Sequence, residues 1–278
     1  MELGKINKLT VNRLVDFGAY LDAGNGAEVL LPRRYITAPL APGDEVEVMV
    51  YTDSEDRPVA TTDTPVAQAG EFAFLNVVAV TKVGAFLDWG LPKDLLVPFS
   101  EQKSRMKEGG NYLVYVFVDN ASGRVAATAR IEKYLGNTYP DYTRGQKVDC
   151  LVFERNDLGY RCIVDNAHPG IIYENEVYTP LERGQRVEGY VRQVRPDGKI
   201  DIYLGGRADV RTEALARRIL AAIKTNGGTL RLSDKSSPDE IAAMFSCSKK
   251  DFKKAVGHLL KAKKITLGDD KTALFAAK

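Results

Sequence analysis

Residues 84–130 read GAFLDWGLPKDLLVPFSEQKSRMKEGGNYLVYVFVDNASGRVAATAR, and the punctuation of this stretch decides the fold. After Gly84, the residues Ala85, Leu87 and Trp89 alternate with Phe86 and Asp88, the period of a half-buried strand. That register points Ala85, Leu87 and Trp89 inward and Phe86 outward. The apolar run Leu95-Leu96-Val97 stops at Pro98, and a charged, helix-tolerant connector leads to Gly109-Gly110. Tyr112 to Val118 is a second strand rich in aromatic and β-branched residues. Asp119 to Gly123 is turn chemistry, and Arg124 to Thr128 returns as a strand. Short strands at this spacing predict a small closed barrel and not a βαβ unit.

The pattern occurs earlier, in residues 18–62, where GAYLD matches GAFLD, VLLP matches LLVP and RPVATT matches RVAATA. A looser third copy begins at Gly159. Three glycine triplets, Gly4/Gly18/Gly43, Gly70/Gly84/Gly109 and Gly145/Gly159/Gly184, share separations of 14 and 25 residues. Within the third copy, Arg195-Pro196-Asp197-Gly198 turns a hairpin between alternating runs.

A glycine-started strand, then G-A-[FY]-L, an apolar run ending in a turn, G-x-x-[VY]-x-V and a closing R-[VP]-x-A resembles the S-one RNA-binding domain named after a ribosomal protein. That module is a five-stranded barrel of the oligonucleotide-binding (OB) class. Three such units before a basic helical tail are similar to the conserved virulence factor B family of bacterial RNA-binding regulators, most of all at DLLVPFSEQ and GRVAAT. The resemblance is close over residues 1–130 and looser beyond. It implies a mainly β chain: S-one-like barrels over 1–64, 68–132 and 143–207, the third degenerate, then a winged-helix α/β domain over 211–278. It also implies that the aromatic after G-A contacts RNA, a position filled by Tyr20 and Phe86. Many S-one domains carry a histidine after the apolar run; here Leu31, Val97 and Tyr173 stand there, and of these only Tyr173 can stack. In the third copy Arg161 replaces the aromatic.

An outward ring is a platform for a base, with stacking contributing about 1–3 kcal/mol per base whatever the sequence. The plain alternative is that Tyr20 and Phe86 cover apolar surface or pack on a neighbouring barrel. Arg34 just past VLLP, and Arg57, Arg124 and Lys199 after their turns, could meet phosphates; the alternative for each is a solvated surface charge.

The tail changes period. Leu215, Ile219, Leu220 and Ile223 mark one helix, stopped at Asn226-Gly227-Gly228. Ser237-Pro238-Asp239-Glu240 opens a second, and Ser248 caps a third with an apolar stripe of Phe252, Ala255, Val256 and Leu259. At 100° per residue, Lys249, Lys250, Lys253, Lys254 and Lys261 share one arc of about 140° on the other side. Residues 264–275 read as a two-stranded wing, which makes the third helix the element offered to a duplex groove. Solvation of that helix, within a protein-docking unit, is the competing reading.

The 278 residues carry a net charge of only +2, but residues 211–278 hold 15 Lys and Arg against 7 Asp and Glu, leaving 24 against 30 for the rest. Phosphate contacts are therefore expected in the tail. No apolar stretch approaches the roughly 18 residues of a membrane helix, and MELGKINKLTV has no basic-then-apolar leader. Three cysteines without CxxC suit a reducing cytoplasm, with Cys150 and Cys162 read as core residues. His168 and His258 lie in separate segments, and no catalytic motif, metal set or cofactor fingerprint is present. The expectation is a non-catalytic cytoplasmic regulator without cofactor or metal. It would bind single-stranded RNA with weak sequence preference, with its winged helix also able to take a duplex. Alternatives are a winged-helix DNA-binding transcription regulator and a ribosome- or protein-binding scaffold.

Overall fold

The computed structural model describes the chain except residues 175–176, 178–179, 205–207, 234, 246, 269–272 and 277–278; for 208–211 and 214 it describes the backbone alone. There are two compact units, residues 1–137 and 138–278.

The first unit begins with β1 (Ile6–Val15), β2 (Gly18–Gly24), β3 (Ala27–Pro32), β4 (Glu45–Thr52) and β5 (Pro58–Thr61), closed as a barrel in the order β1-β2-β3-β5-β4. It continues with β6 (Phe72–Val80), β7 (Gly84–Asp88), β8 (Leu95–Pro98), β9 (Asn111–Val118) and β10 (Val125–Thr128) in the equivalent order, but β8 and β10 lie side by side without a ladder. The expected closed barrel is here a curled five-stranded sheet. Its closure comes just past the strands, where Ala129 N–H donates to the Glu101 carbonyl (2.9 Å) and the Thr128 hydroxyl to the Glu101 carboxylate (2.6 Å). The connector after β8 is one 3₁₀ turn, Phe99–Glu101, followed by irregular chain. Buried Gln102 orders it, donating to the Val97 carbonyl at 3.0 Å and accepting from Met106 N–H at 3.1 Å.

In the second unit, β11 (Lys147–Asn156), β12 (Gly159–Val164), β13 (His168–Tyr173), β14 (Arg186–Val194) and β15 (Ile200–Leu204) close in the same order again. The looser third copy is thus a complete barrel. The glycine triplets mark equivalent places in all three. A Cβ on Gly18, Gly84 or Gly159 would lie 2.2, 2.3 or 2.2 Å from the carbonyl oxygen of Leu31, Val97 or Ile172 on the paired strand, an impossible approach for any side chain. Gly4, Gly70 and Gly145 donate to the carbonyls of Val50, Val116 and Val191, while Gly43, Gly109 and Gly184 donate to those of Val11, Val77 and Val152. Each first strand slips register at one point, between Val11 and Arg13, Val77 and Ala79, and Val152 and Glu154.

Inside the barrels sit Leu21, Leu31 and Val50, then Leu87, Trp89 and Val114, then Val152, Cys162 and Ile202, all almost wholly buried. Each fully buried aliphatic side chain stabilises by roughly 1.5–3 kcal/mol. Trp89 is inward as its parity requires, its indole N–H donating to the Lys93 carbonyl at 2.7 Å. The core of the β6–β10 sheet runs on into Met49 and Tyr51 of β4, so these two barrels share an apolar seam. Burial there pushes the Tyr51 hydroxyl up to about 12.

The tail comprises α1 (Ala208–Thr225), β16 (Thr229–Leu230), α2 (Pro238–Phe245), α3 (Lys249–Lys261), β17 (Ile265–Leu267) and β18 (Leu274–Ala276). Ser237 and Glu240 form a capping box, the hydroxyl accepting from Glu240 N–H (3.2 Å) and the carboxylate from Ser237 N–H (2.9 Å). The Ser248 hydroxyl accepts from Asp251 N–H at 3.0 Å. The wing has three strands instead of two, in the order β16-β18-β17. Thr229 and Leu230 pair with Phe275 and Leu274, and two residues carry no alternation from which a strand could be read. Within the expected wing, residues 269–272 lie outside the described residues.

Candidate nucleic-acid interface

Along β2, Ala19 and Leu21 are buried and Tyr20 between them points out, half-buried; along β7, Ala85 and Leu87 are buried and Phe86 points out in the same way. What differs is the residue opposite on the preceding strand: Arg13 faces Tyr20, Ala79 faces Phe86, and in the third barrel Glu154 faces Arg161. The Arg13 guanidinium lies 3.9 Å from the centre of the Tyr20 ring and is fixed by Glu28 at 2.7 Å, so one ring face is covered. Phe17, 57% exposed, stands edge-on to Tyr20 at 6.3 Å and extends the aromatic surface. Ala79 is too short to cover Phe86. Arg161 is paired with Glu154 at 2.5 Å and lies 5.0 Å from the Phe153 ring, so the third barrel presents an ion pair where the others present a ring.

After the apolar run, Leu31 and Val97 are fully buried. Tyr173 is half-buried and locked, its hydroxyl donating to Asp201 (3.2 Å) and accepting from Arg195. Asp201, 3% exposed, accepts from Arg195 Nε and from Gln193, both at 2.7 Å. Burial alone would raise its carboxyl; the hydrogen bonds from Arg195 and Gln193 prevail and hold it below the ordinary 3.8.

Arg34 is exposed, with its guanidinium 4.6 Å from the Tyr35 ring centre and no carboxylate partner among the described residues. Beside it a cleft of about 420 Å³ opens between Leu14, Gly18, Arg33, Ile36 and Pro39. The other arginines expected to meet phosphate are already engaged. Arg57 pairs with Asp53 and Glu55, both at 2.8 Å, and Arg124 pairs with Asp56 across the seam between the first two barrels. Lys199 pairs with Asp197 at 2.8 Å.

On α3 the stripe of Phe252, Ala255, Val256 and Leu259 is buried against Leu215, Ile219, Phe245 and Ile265. On the opposite face Lys250, Lys253, Lys254 and Lys261 are exposed and Lys249 half-buried; none of the five forms an ion pair among the described residues. The helix's one acid, Asp251, turns back to the Ser248 cap. At 1.5 Å per residue the lysine face is about 18 Å long, the axial rise of roughly five base pairs of a duplex at 3.4 Å each.

Residues 3–63 match the S1 domain family, and residues 217–274 match the CvfB-like winged helix domain. The uncharacterized protein YitL of Bacillus subtilis is 30% identical over 272 residues, 95% of this chain and 91% of that protein. Conserved virulence factor B of Staphylococcus saprophyticus is 27% identical over 98% of this chain and 94% of its own. The chain belongs to the conserved virulence factor B family. A solved multidomain protein with nucleic acid binding domains from Streptococcus pneumoniae aligns over 99% of this chain and 98% of that one, at 26% identity and a TM-score of 0.42. The S1 and winged-helix modules of this family are nucleic-acid-binding domains and not known catalytic ones, so this member is a nucleic-acid-binding regulatory protein.

His168 and the three thiols lie inside the fold. His168 is buried, with the Tyr142 hydroxyl at 3.1 Å on Nδ1 and Thr138 at 3.0 Å on Nε2. All three thiols are buried. Burial, then Asp251, pushes Cys247 up to about 11, and the hydrogen bond to Cys150, then burial, raises Cys162. No group of three or more His, Cys, Asp or Glu among the described residues could hold a metal, and none of their helices is long and apolar enough to cross a membrane.

Two further cation–ring contacts lie close in sequence to these positions. Arg13 reaches Tyr20 only because the β1–β2 hairpin slips register at residue 12, which no local pattern announces. Phe99, with Arg105 3.8 Å over its ring, follows LLVP as Arg33 follows VLLP; aligning the two copies one residue further would have marked it.

Proposed function

We propose that this member of the conserved virulence factor B family is a non-catalytic, cytoplasmic regulator that binds single-stranded RNA. Bases stack on Tyr20 and Phe86, Arg34 meets the backbone beside the first platform, and Lys249, Lys250, Lys253, Lys254 and Lys261 grip phosphates. The observation that carries this reading is the lysine face of α3, five cations on one side of a helix with no carboxylate partner among the described residues. Backbone contacts position a strand without reading it, which gives weak sequence preference. Several weak sites on one chain raise each other's occupancy through effective concentration.

The test is titration of the whole chain against a labelled unstructured RNA and a duplex DNA of equal length over a series of salt concentrations. Preference for the RNA is expected, with a log–log salt slope of about −3.5 if all five lysines neutralise phosphates on a single strand. Tighter binding to the duplex would favour a DNA-binding transcription regulator, and binding to neither would leave a protein-binding scaffold.

A further inference from the structure

The middle of the lysine face is a glycine. On a helix the neighbours on one face lie three, four and seven positions away. For Gly257 these include Lys250, Lys253, Lys254 and Lys261. A glycine inside a helix is disfavoured, and it persists where backbone conformation, close packing or a ligand requires it. The first two reasons are missing here. Gly257 is not among the residues with positive φ. Apart from its chain neighbours and the backbone of its own helix turn, the Cβ of a larger residue there would meet no described atom within 4 Å. Other glycines of ordinary φ do have packing reasons: a Cβ on Gly170 would lie 2.6 Å from Val164 Cγ2, and one on Gly189 2.5 Å from Ile202 Cγ2.

We propose that Gly257 is the seat of the RNA backbone on α3: the bare helix surface admits a sugar-phosphate unit between four lysines, which then reach the phosphates on either side. The inference rests on reading the lysine face as a phosphate grip. Charge complementarity selects the occupant, because a surface ringed by unpaired ammonium groups fits a polyanion. A helix backbone exposed by a missing side chain lets that polyanion come closer than a lysine rim alone would.

The experiment uses the full chain and four proteins: the unaltered one, Gly257→Ala, Gly257→Leu, and the double change Lys253→Gln with Lys254→Gln. Each is titrated with the same labelled unstructured RNA and with duplex DNA at low and moderate salt, unfolded thermally, and sized by light scattering. Alanine and leucine are better helix formers, so both glycine variants should unfold at a midpoint about 4 °C higher for the tail domain. Their RNA affinity should nevertheless fall, by about tenfold for Gly257→Leu, with a shallower salt slope as phosphates move out of lysine reach. The double lysine change should weaken RNA binding without raising the midpoint.

If the lysine change weakens binding while Gly257→Leu leaves affinity and slope untouched, the seat is wrong and the phosphate grip stands. If the lysine change has no effect, the grip itself fails and the seat with it. A lower midpoint for Gly257→Ala would place a packing partner on the glycine and overturn the inference. So would a loss confined to duplex DNA, or a dimer that Gly257→Leu converts to monomer.

Discussion

In the first barrel Arg13 holds Glu28 and Arg57 holds Asp53, and in the third Arg195 holds the buried Asp201; on α3 five lysines stand along one face with no such partner among the described residues. These barrel arginines bind carboxylates of their own fold, so a phosphate reaching them would have to displace an existing partner. The helix cations have nothing to release except counterions, which is the condition for a strong, salt-sensitive hold on a polyanion. The difference separates charge that maintains structure from charge offered to a ligand, and substitutions on the two sides should fail in different ways.

The largest effect is expected at Asp201. Asp201→Asn leaves Arg195, 28% exposed, beside a neutral partner and should destabilise the third barrel by about 3 kcal/mol at pH 7. RNA affinity at temperatures where the variant is folded should not change. The folded-state pKa of Asp201 lies below its ordinary value of 3.8, so its contribution is complete above that value and is lost as pH falls through the lowered folded pKa. Urea denaturation of both proteins should therefore show a gap at pH 7 that narrows below pH ~4. A gap independent of pH would mean the charge on Asp201 is not what stabilises the barrel.

Lys250→Gln, Lys253→Gln and Lys254→Gln together should do the reverse. With five phosphate contacts on a single strand, affinity should fall about 100-fold between 50 and 200 mM salt, and with two contacts only about sevenfold. Thermal unfolding should be unchanged, because all three side chains are exposed. Loss of stability in the triple variant would show that the face is covered within the protein and would erase the contrast with the barrels.

What could be read from residue order follows the same division. The parity that put Trp89 in the core and Phe86 outside is local, as are the Ser237 and Ser248 caps. The glycine separations work because each triplet meets the same backbone constraint in its own barrel. The pairings of the arginines are not local. Arg124 meets Asp56 across 68 positions, and Arg13 meets Tyr20 through a slipped register, so both looked like free surface groups in one dimension. Tyr173 likewise looked able to stack until β14 and β15 brought Arg195 and Asp201 to its hydroxyl. The open β8–β10 edge and the two-residue strand β16 leave no pattern at all.

The stacking platforms sharpen the comparison, since one is partly covered by a structural cation and the other is not. Phe86→Ala should lower RNA affinity by about thirtyfold, the middle of the range for one stacked base. Tyr20→Ala should cost less, because Arg13 already occupies one face of that ring. Fluorescence anisotropy at fixed salt measures both, and neither change should alter the salt slope, since no cation is removed. An equal or larger loss at Tyr20 would mean that Arg13 swings off the ring to join the bound strand.

The smallest effects are expected at Arg57 and Arg124. Arg57 is 66% exposed and Arg124 50%, and exposed ion pairs of this kind contribute little to stability because water and salt screen them and long side chains lose freedom in forming them. Arg57→Gln and Arg124→Gln should each change RNA affinity less than about twofold, against a phosphate contact whose loss would lower the salt slope by about 0.7. Arg124 bridges to Asp56 of the neighbouring barrel, so its loss should show instead as faster amide exchange along the seam formed by β4 and β10. If either substitution weakened RNA binding tenfold and flattened the salt slope, the carboxylate would have to be giving way to phosphate on binding. Paired and unpaired cations would then differ only in the order in which they are engaged.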